Sequence, residues 1–202
     1  MTSSLHLVVV LFTLAFSYCV SSSYIAMNLS SQYAAGLPIT SKNFLTYESS
    51  VYRFKIQYPS DWEKIEFRGG VEEANRKIIV SFVSPLESSS DTFREYFIIE
   101  AGPLESLVAS PLPSSTNRYI SSLKSLPNFK LIESDMVSFA GIPAEKLVYS
   151  YYNNPEVGTT KTMDMLVTKN DKLYVLSFNS DAVKYNNYLQ TIQKMLDSFR
   201  FS

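Results

Sequence analysis

From Phe44 onward apolar positions alternate with polar ones in short runs broken by Gly, Pro, Asn and Ser, and a period of two predicts strands. The clearest run is Tyr52-Arg-Phe-Lys-Ile-Gln-Tyr-Pro-Ser-Asp-Trp62, which alternates strictly until Pro59 turns the chain ahead of the only tryptophan. Paired with Phe44 to Tyr47 it predicts a hairpin. Trp62 to Phe67 alternates again, Gly69-Gly70 signals a turn, and the near-continuous apolar run Lys77 to Ser84 predicts a central strand buried on both faces. Arg94 to Ala101 reads as another interior strand. Phe129 to Glu133, Met136 to Phe139, Ala144 to Tyr152, Met163 to Thr168 and Leu173 to Phe178 follow, with Ala140-Gly141 and Asn170-Asp171 as turn signals. Links this short require antiparallel neighbours, because a parallel return needs a crossover of about a dozen residues.

Two segments carry the helical period instead. Ser114 to Leu126 places Tyr119, Ile120, Leu123 and Leu126 at helical spacing between proline-bearing flanks. A last helix beginning near Asp181 sets Tyr185, Tyr188, Leu189, Ile192, Met195, Leu196 and Phe199 on one stripe, the pattern of a rod lying along a sheet. Strands grouped together, with one helix midway and one late, predict an α+β sandwich rather than a doubly wound sheet.

The chain before this domain has a different character. No Asp, Glu, Lys or Arg precedes Lys42, and Leu5 to Val20 is almost wholly apolar. Residues 1–22 therefore read as a signal peptide or a short N-terminal anchor, 23–43 as a flexible Ser-rich tether, and 44–202 as the folded domain. The expectation is an exported protein, extracellular or anchored with its domain facing outside. Cys19 and His6 are the only residues of their types and lie in the leader, so processing would leave a domain without cysteine or histidine. Asn28-Leu29-Ser30 is a glycosylation sequon in the tether.

Composition narrows the function classes. Eighteen basic residues against nineteen acidic ones, with no long run of either, exclude a polyelectrolyte-binding surface, so nucleic acid is not an expected partner. Fourteen Tyr and thirteen Phe suit sheet faces. No serine has a histidine base within the domain, and neither a Gly-x-Ser-x-Gly elbow, a phosphate loop nor a metal-ligand cluster occurs, so no catalytic residue is assigned and an enzyme is not expected. Hard-cation binding needs oxygen ligands on a loop, and Glu87, Asp91 and Glu95 bracket the Ser-rich loop after the central strand; they are the only metal candidates, without a recognised calcium spacing. Tyr149, Tyr151 and Tyr152 form the candidate partner surface, with alternation placing the first two on one face and Tyr152 opposite.

Tyr58-Pro-Ser-Asp-Trp62, Val80-Ser-Phe-Val-Ser-Pro85, Phe139-Ala-Gly-Ile-Pro-Ala144 and Met195-Leu-Asp-Ser-Phe199, in this order, resemble the PsbP family, the extrinsic lumenal proteins of photosystem II and their relatives. The similarity spans roughly Phe44 to Phe201, and the apolar leader with its Ser-rich tether resembles the secreted members found in archaea. The resemblance implies an α-β-α sandwich around a central, mainly antiparallel sheet, shared with the Mog-type nuclear import factors. It also implies binding and assembly rather than turnover, with a protein partner; no cofactor is expected, and calcium enters only through the family resemblance. The photosynthetic members dock through a charged N-terminal extension, whereas the corresponding region here is uncharged. The expected function is a non-enzymatic exported binding or assembly domain at the outer membrane face, an accessory factor of a membrane complex. A divalent-cation binding protein and a secreted carboxylate-dependent hydrolase are the alternatives.

Overall fold

The computed structural model describes residues 43–67, 72–73, 76–103 and 114–202; the leader, all of the tether except Asn43, and the Gly69-Gly70 turn lie outside these residues. The strands are β1 (Phe44–Ser49), β2 (Phe54–Pro59), β3 (Glu63–Glu66), β4 (Glu72–Glu73), β5 (Arg76–Val83), β6 (Tyr96–Pro103), β7 (Lys130–Phe139), β8 (Ile142–Asn154), β9 (Gly158–Lys169), β10 (Lys172–Asp181) and β11 (Arg200–Phe201). The helices are α1 (Ser114–Leu123) and α2 (Tyr185–Ser198). Every described strand pair is antiparallel. The large sheet runs β3-β5-β6-β10-β9-β8-β7, with β4 also on β5, and a separate sheet has the order β1-β2-β11.

Local chemistry accounts for the hairpins. Ala140 and Gly141 link β7 to β8, and Asn170 with Asp171 links β9 to β10; all four take positive φ, the geometry that matches the twist of two-residue hairpins. At the β8–β9 turn the Asn154 side-chain oxygen accepts from the backbone N–H groups of Glu156 and Val157, both at 2.9 Å. β5 and β10 are buried almost throughout, as continuous apolar runs require when both sheet faces are covered.

Those two faces carry different covers. Phe97, Ile99, Met163, Met165, Val167, Leu176 and Phe178 point toward α2 and the small sheet, meeting Phe54, Ile56, Ile192, Met195 and Phe199 in one apolar core. Trp62 is buried there as a plug, edge-on to Tyr188 at 6.0 Å. Intervening residues of the same strands point the other way, where Tyr119 of α1 hydrogen-bonds Asp164 of β9.

The structure revises several sequence expectations. The first hairpin forms, but as part of a second sheet closed by β11 rather than in the main one. β7 is a single strand from Lys130 to Phe139, because Ser134 and Asp135 stay paired with β8 across what the sequence suggested was a break. Asp181 ends β10 rather than starting a helix: its carboxylate accepts the Val183 N–H, and α2 begins at Tyr185. Leu189 is half-exposed, off the buried stripe of Tyr185, Tyr188, Ile192, Met195 and Leu196. Among the described residues no helix is long and apolar enough to cross a membrane.

Candidate functional site

The three carboxylates singled out from the sequence do approach one another, around a lysine that no sequence pattern places there. Lys184, at the N-cap of α2, sets its Nζ 2.7 Å from Asp91 Oδ1 and 3.2 Å from Glu87 Oε2. Tyr188 donates to Glu87 Oε1 at 2.7 Å, and the backbone N–H groups of Glu87 and Phe93 donate to Asp91. Glu95 is fully buried, accepting from Ser84 at 3.3 Å and from Ser180 at 3.4 Å. Burial raises the Glu95 carboxyl above its ordinary range despite the nearby Lys184. Burial also works on Asp91, but hydrogen bonds from Lys184 and from the two amides outweigh it and hold that carboxyl low. A cation at a helix N-terminus opposes the dipole, and these acids offset it. Among the described residues no group of three or more His, Cys, Asp or Glu is disposed to share an ion.

A second polar cluster lies under α1. Asp164 Oδ2 accepts from Tyr119 at 2.7 Å and Tyr149 at 3.0 Å, while Oδ1 accepts from Ser177 at 2.5 Å. Burial raises the Asp164 carboxyl above its ordinary range, against the lowering influence of these three hydroxyls. Arg76 pairs with Glu100 at 2.9 Å and stacks over Tyr119. Burial, reinforced by the Asp164 charge, drives the Tyr119 and Tyr149 hydroxyls well above the usual range, so they serve as donors rather than bases.

This arrangement corrects the tyrosine surface expected from the sequence. Tyr149 and Tyr151 stack at 6.3 Å and are both buried, because α1 and the turn after it cover their face, with Phe129 5.6 Å from Tyr149. Tyr152 alone remains half-exposed, and its N–H donates to Pro127. Alternation sets the two faces as expected; the cover on the Tyr149 face is what removes it as a contact surface.

Among the described residues a groove and an edge are open near the C-terminal half of the large sheet. The groove, about 590 Å³, lies between the β7–β8 hairpin and the C-terminal part of α2, lined by Val137, Phe139, Lys146, Met163, Met165, Gln193, Asp197 and Arg200. Next to it runs β7, whose only strand partner among the described residues is β8. Leu131, Ile132 and Met136 of β7 are exposed. On β8, Glu145 is buried beside this edge; its Oε1 accepts from Ser134 at 2.9 Å and its Oε2 has no partner among the described residues. The sequence carried one signal for this edge, polar residues on both faces of β7 between apolar ends, which marks an edge strand rather than a break between two strands. With apolar side chains beside the outer strand edge and mixed charge, this region can hold an extended polypeptide.

Comparison with known proteins agrees with the geometry. The family model described as PsbP-like protein matches residues 24–201. The cyanobacterial PsbP, CyanoP, of Synechocystis is 13% identical, with a TM-score of 0.58 over 86% of this chain and 99% of that one. LpqN of Mycobacterium tuberculosis, involved in cell envelope biogenesis, is 13% identical with a TM-score of 0.52, covering 79% of this chain and 91% of its own. A point mutant of the protein Mog1 is 14% identical with a TM-score of 0.51, covering 79% and 96%. At these identities the likeness establishes the fold. No curated protein matches the sequence.

Proposed function

The chain belongs to the PsbP-like family, and from that premise we propose that it is an exported, non-catalytic binding domain that helps assemble a membrane complex at the outer face. The domain is read as an α-β-α sandwich, with α1 over one face of the large sheet and α2 with the small sheet over the other. Export rests on the charge-free N-terminal 41 residues and their apolar run. The likeness to LpqN, an envelope-biogenesis protein, supports the same setting.

One observation carries the binding reading. The clustered acids are already engaged, Glu87 and Asp91 by Lys184 and Asp164 by three hydroxyls, while among the described residues the groove and the β7 edge stay open. Neither the calcium reading nor the hydrolase reading gains a free pair of carboxylates from these clusters. Affinity isolation of the full chain from native membranes tests the proposal. It predicts a discrete assembly with one protein partner in fixed stoichiometry; recovery of the chain by itself from both membrane and extracellular fractions contradicts it.

A further inference from the structure

Strand β7 ends the large sheet with ten residues, whereas β3 at the other end has four and β1 at the edge of the small sheet has six. The register places Leu131 opposite Tyr149, Ser134 opposite Leu147 and Met136 opposite Glu145. Since cross-strand partners share a face, Leu131, Ser134 and Met136 line one face of the edge together. Leu131 and Met136 are 39% and 56% exposed, and the small Ser134 sits between them.

Glu145 lies one strand inward on that face, 6% exposed, with one oxygen on Ser134 and the other unpaired among the described residues. A buried carboxylate oxygen without a donor is costly, and a cationic donor suits it best. A strand added to β7 would stand about 10 Å from the β8 backbone, within reach of a Lys or Arg extending over Ser134 toward the Glu145 side chain. On the opposite face Asp135 is exposed and Glu133 is engaged by Lys146 at 2.5 Å. A second copy paired antiparallel about Ser134 would set Glu133 against Asp135. Like charges directly opposite disfavour that pairing and leave a basic strand favoured.

We propose that the free edge of β7 accepts an extended segment of a partner protein that carries apolar, Lys or Arg, apolar residues at alternate positions, its cation meeting Glu145 Oε2. The apolar pair covers Leu131 and Met136, and the backbone completes the outer row of β7 hydrogen bonds. This inference rests on the protein-binding reading and names the chemistry of the partner.

The probe is a labelled, capped peptide Thr-Val-Thr-Lys-Thr-Val-Thr, with norleucine replacing Lys in its control, titrated against the full chain by anisotropy and by amide NMR shifts. Shifts along β7 are expected, with the Lys probe weakened about tenfold or more by Glu145→Gln and the norleucine probe unchanged. Met136→Lys, an exposed change, weakens both. Shifts confined elsewhere, indifference to Glu145→Gln, no binding at millimolar peptide, or a dimer already protecting β7 without peptide each overturn the proposal. A native partner recovered while β7 ignores the probe would sink this inference alone; absence of a partner would sink the reading beneath it.

Discussion

Replacing Lys184 by Met removes the one ammonium at 2.7 Å from Asp91 and 3.2 Å from Glu87 while keeping most of the side chain's apolar length. At a separation near 3 Å each pair has a gross attraction of about 6 kcal/mol for an effective dielectric of 20, most of it offset by the cost of desolvating the charges. The Asp91 side chain is only 5% exposed, so it cannot recover water; Glu87 at 32% partly can. Breaking a fully buried pair costs about 3–5 kcal/mol, and the partial exposure here lowers the expectation to about 2–3 kcal/mol. For a domain of this size, with a urea slope of about 2 kcal/mol/M, the unfolding midpoint should fall by about 1–1.5 M. The pH dependence gives the sharper check. In the wild type the lowered Asp91 carboxyl contributes stability that is present above its unfolded value and lost as pH falls through the folded one. The variant lacks that contribution, and its Glu95, already raised by burial, takes up a proton early. The gap between the two proteins should therefore close on acidification. A gap below about 0.5 kcal/mol at neutral pH, within the usual range for surface substitutions, or one that does not change with pH, would refute the idea that Lys184 neutralises this cluster.

Asp164→Asn keeps the shape and lets the amide oxygen accept from Tyr119 and Tyr149 while its nitrogen donates to Ser177. Folding raises the Asp164 carboxyl, so its contribution is greatest below the unfolded value and declines as pH rises through the folded one. Denaturation across the range above about pH 4 should show wild type losing ground to the variant; a parallel course contradicts this. Phe199→Ala empties a fully buried site, stacked on Phe54 at 5.3 Å and tilted against Phe139 at 5.1 Å, and should cost about 3–5 kcal/mol in urea titration. Millimolar calcium should leave the melting temperature of the wild type unchanged against a chelator control, because Lys184 holds the carboxylates a cation would need.

The elements legible from sequence are those whose cause is local. Strict alternation wrote β2, the Ala140-Gly141 and Asn170-Asp171 pairs wrote their hairpins, and the 3.6-residue stripe wrote α2. What sequence hid depends on distant partners. Arg200 and Phe201 find Lys55 and Phe54 across the length of the domain, and a two-residue strand leaves no period to read. Lys184 looks like any solvated lysine until β10 delivers it to the loop of Glu87 and Asp91. Tyr149 and Tyr151 alternate as expected, yet their burial is decided by α1, more than twenty residues upstream. Glu145 carries no signal, since its unpaired oxygen exists only once Ser134 is beside it.

Site-specific photocrosslinking in native membranes tests occupancy of the β7 edge, with a benzophenone side chain placed at position 136 or, as a control, at position 45 on β1, where the native residues are 56% and 48% exposed. A discrete protein crosslink is expected from position 136, absent from 45 and lost with Glu145→Gln. Equal labelling from both positions, or none from 136, would contradict it.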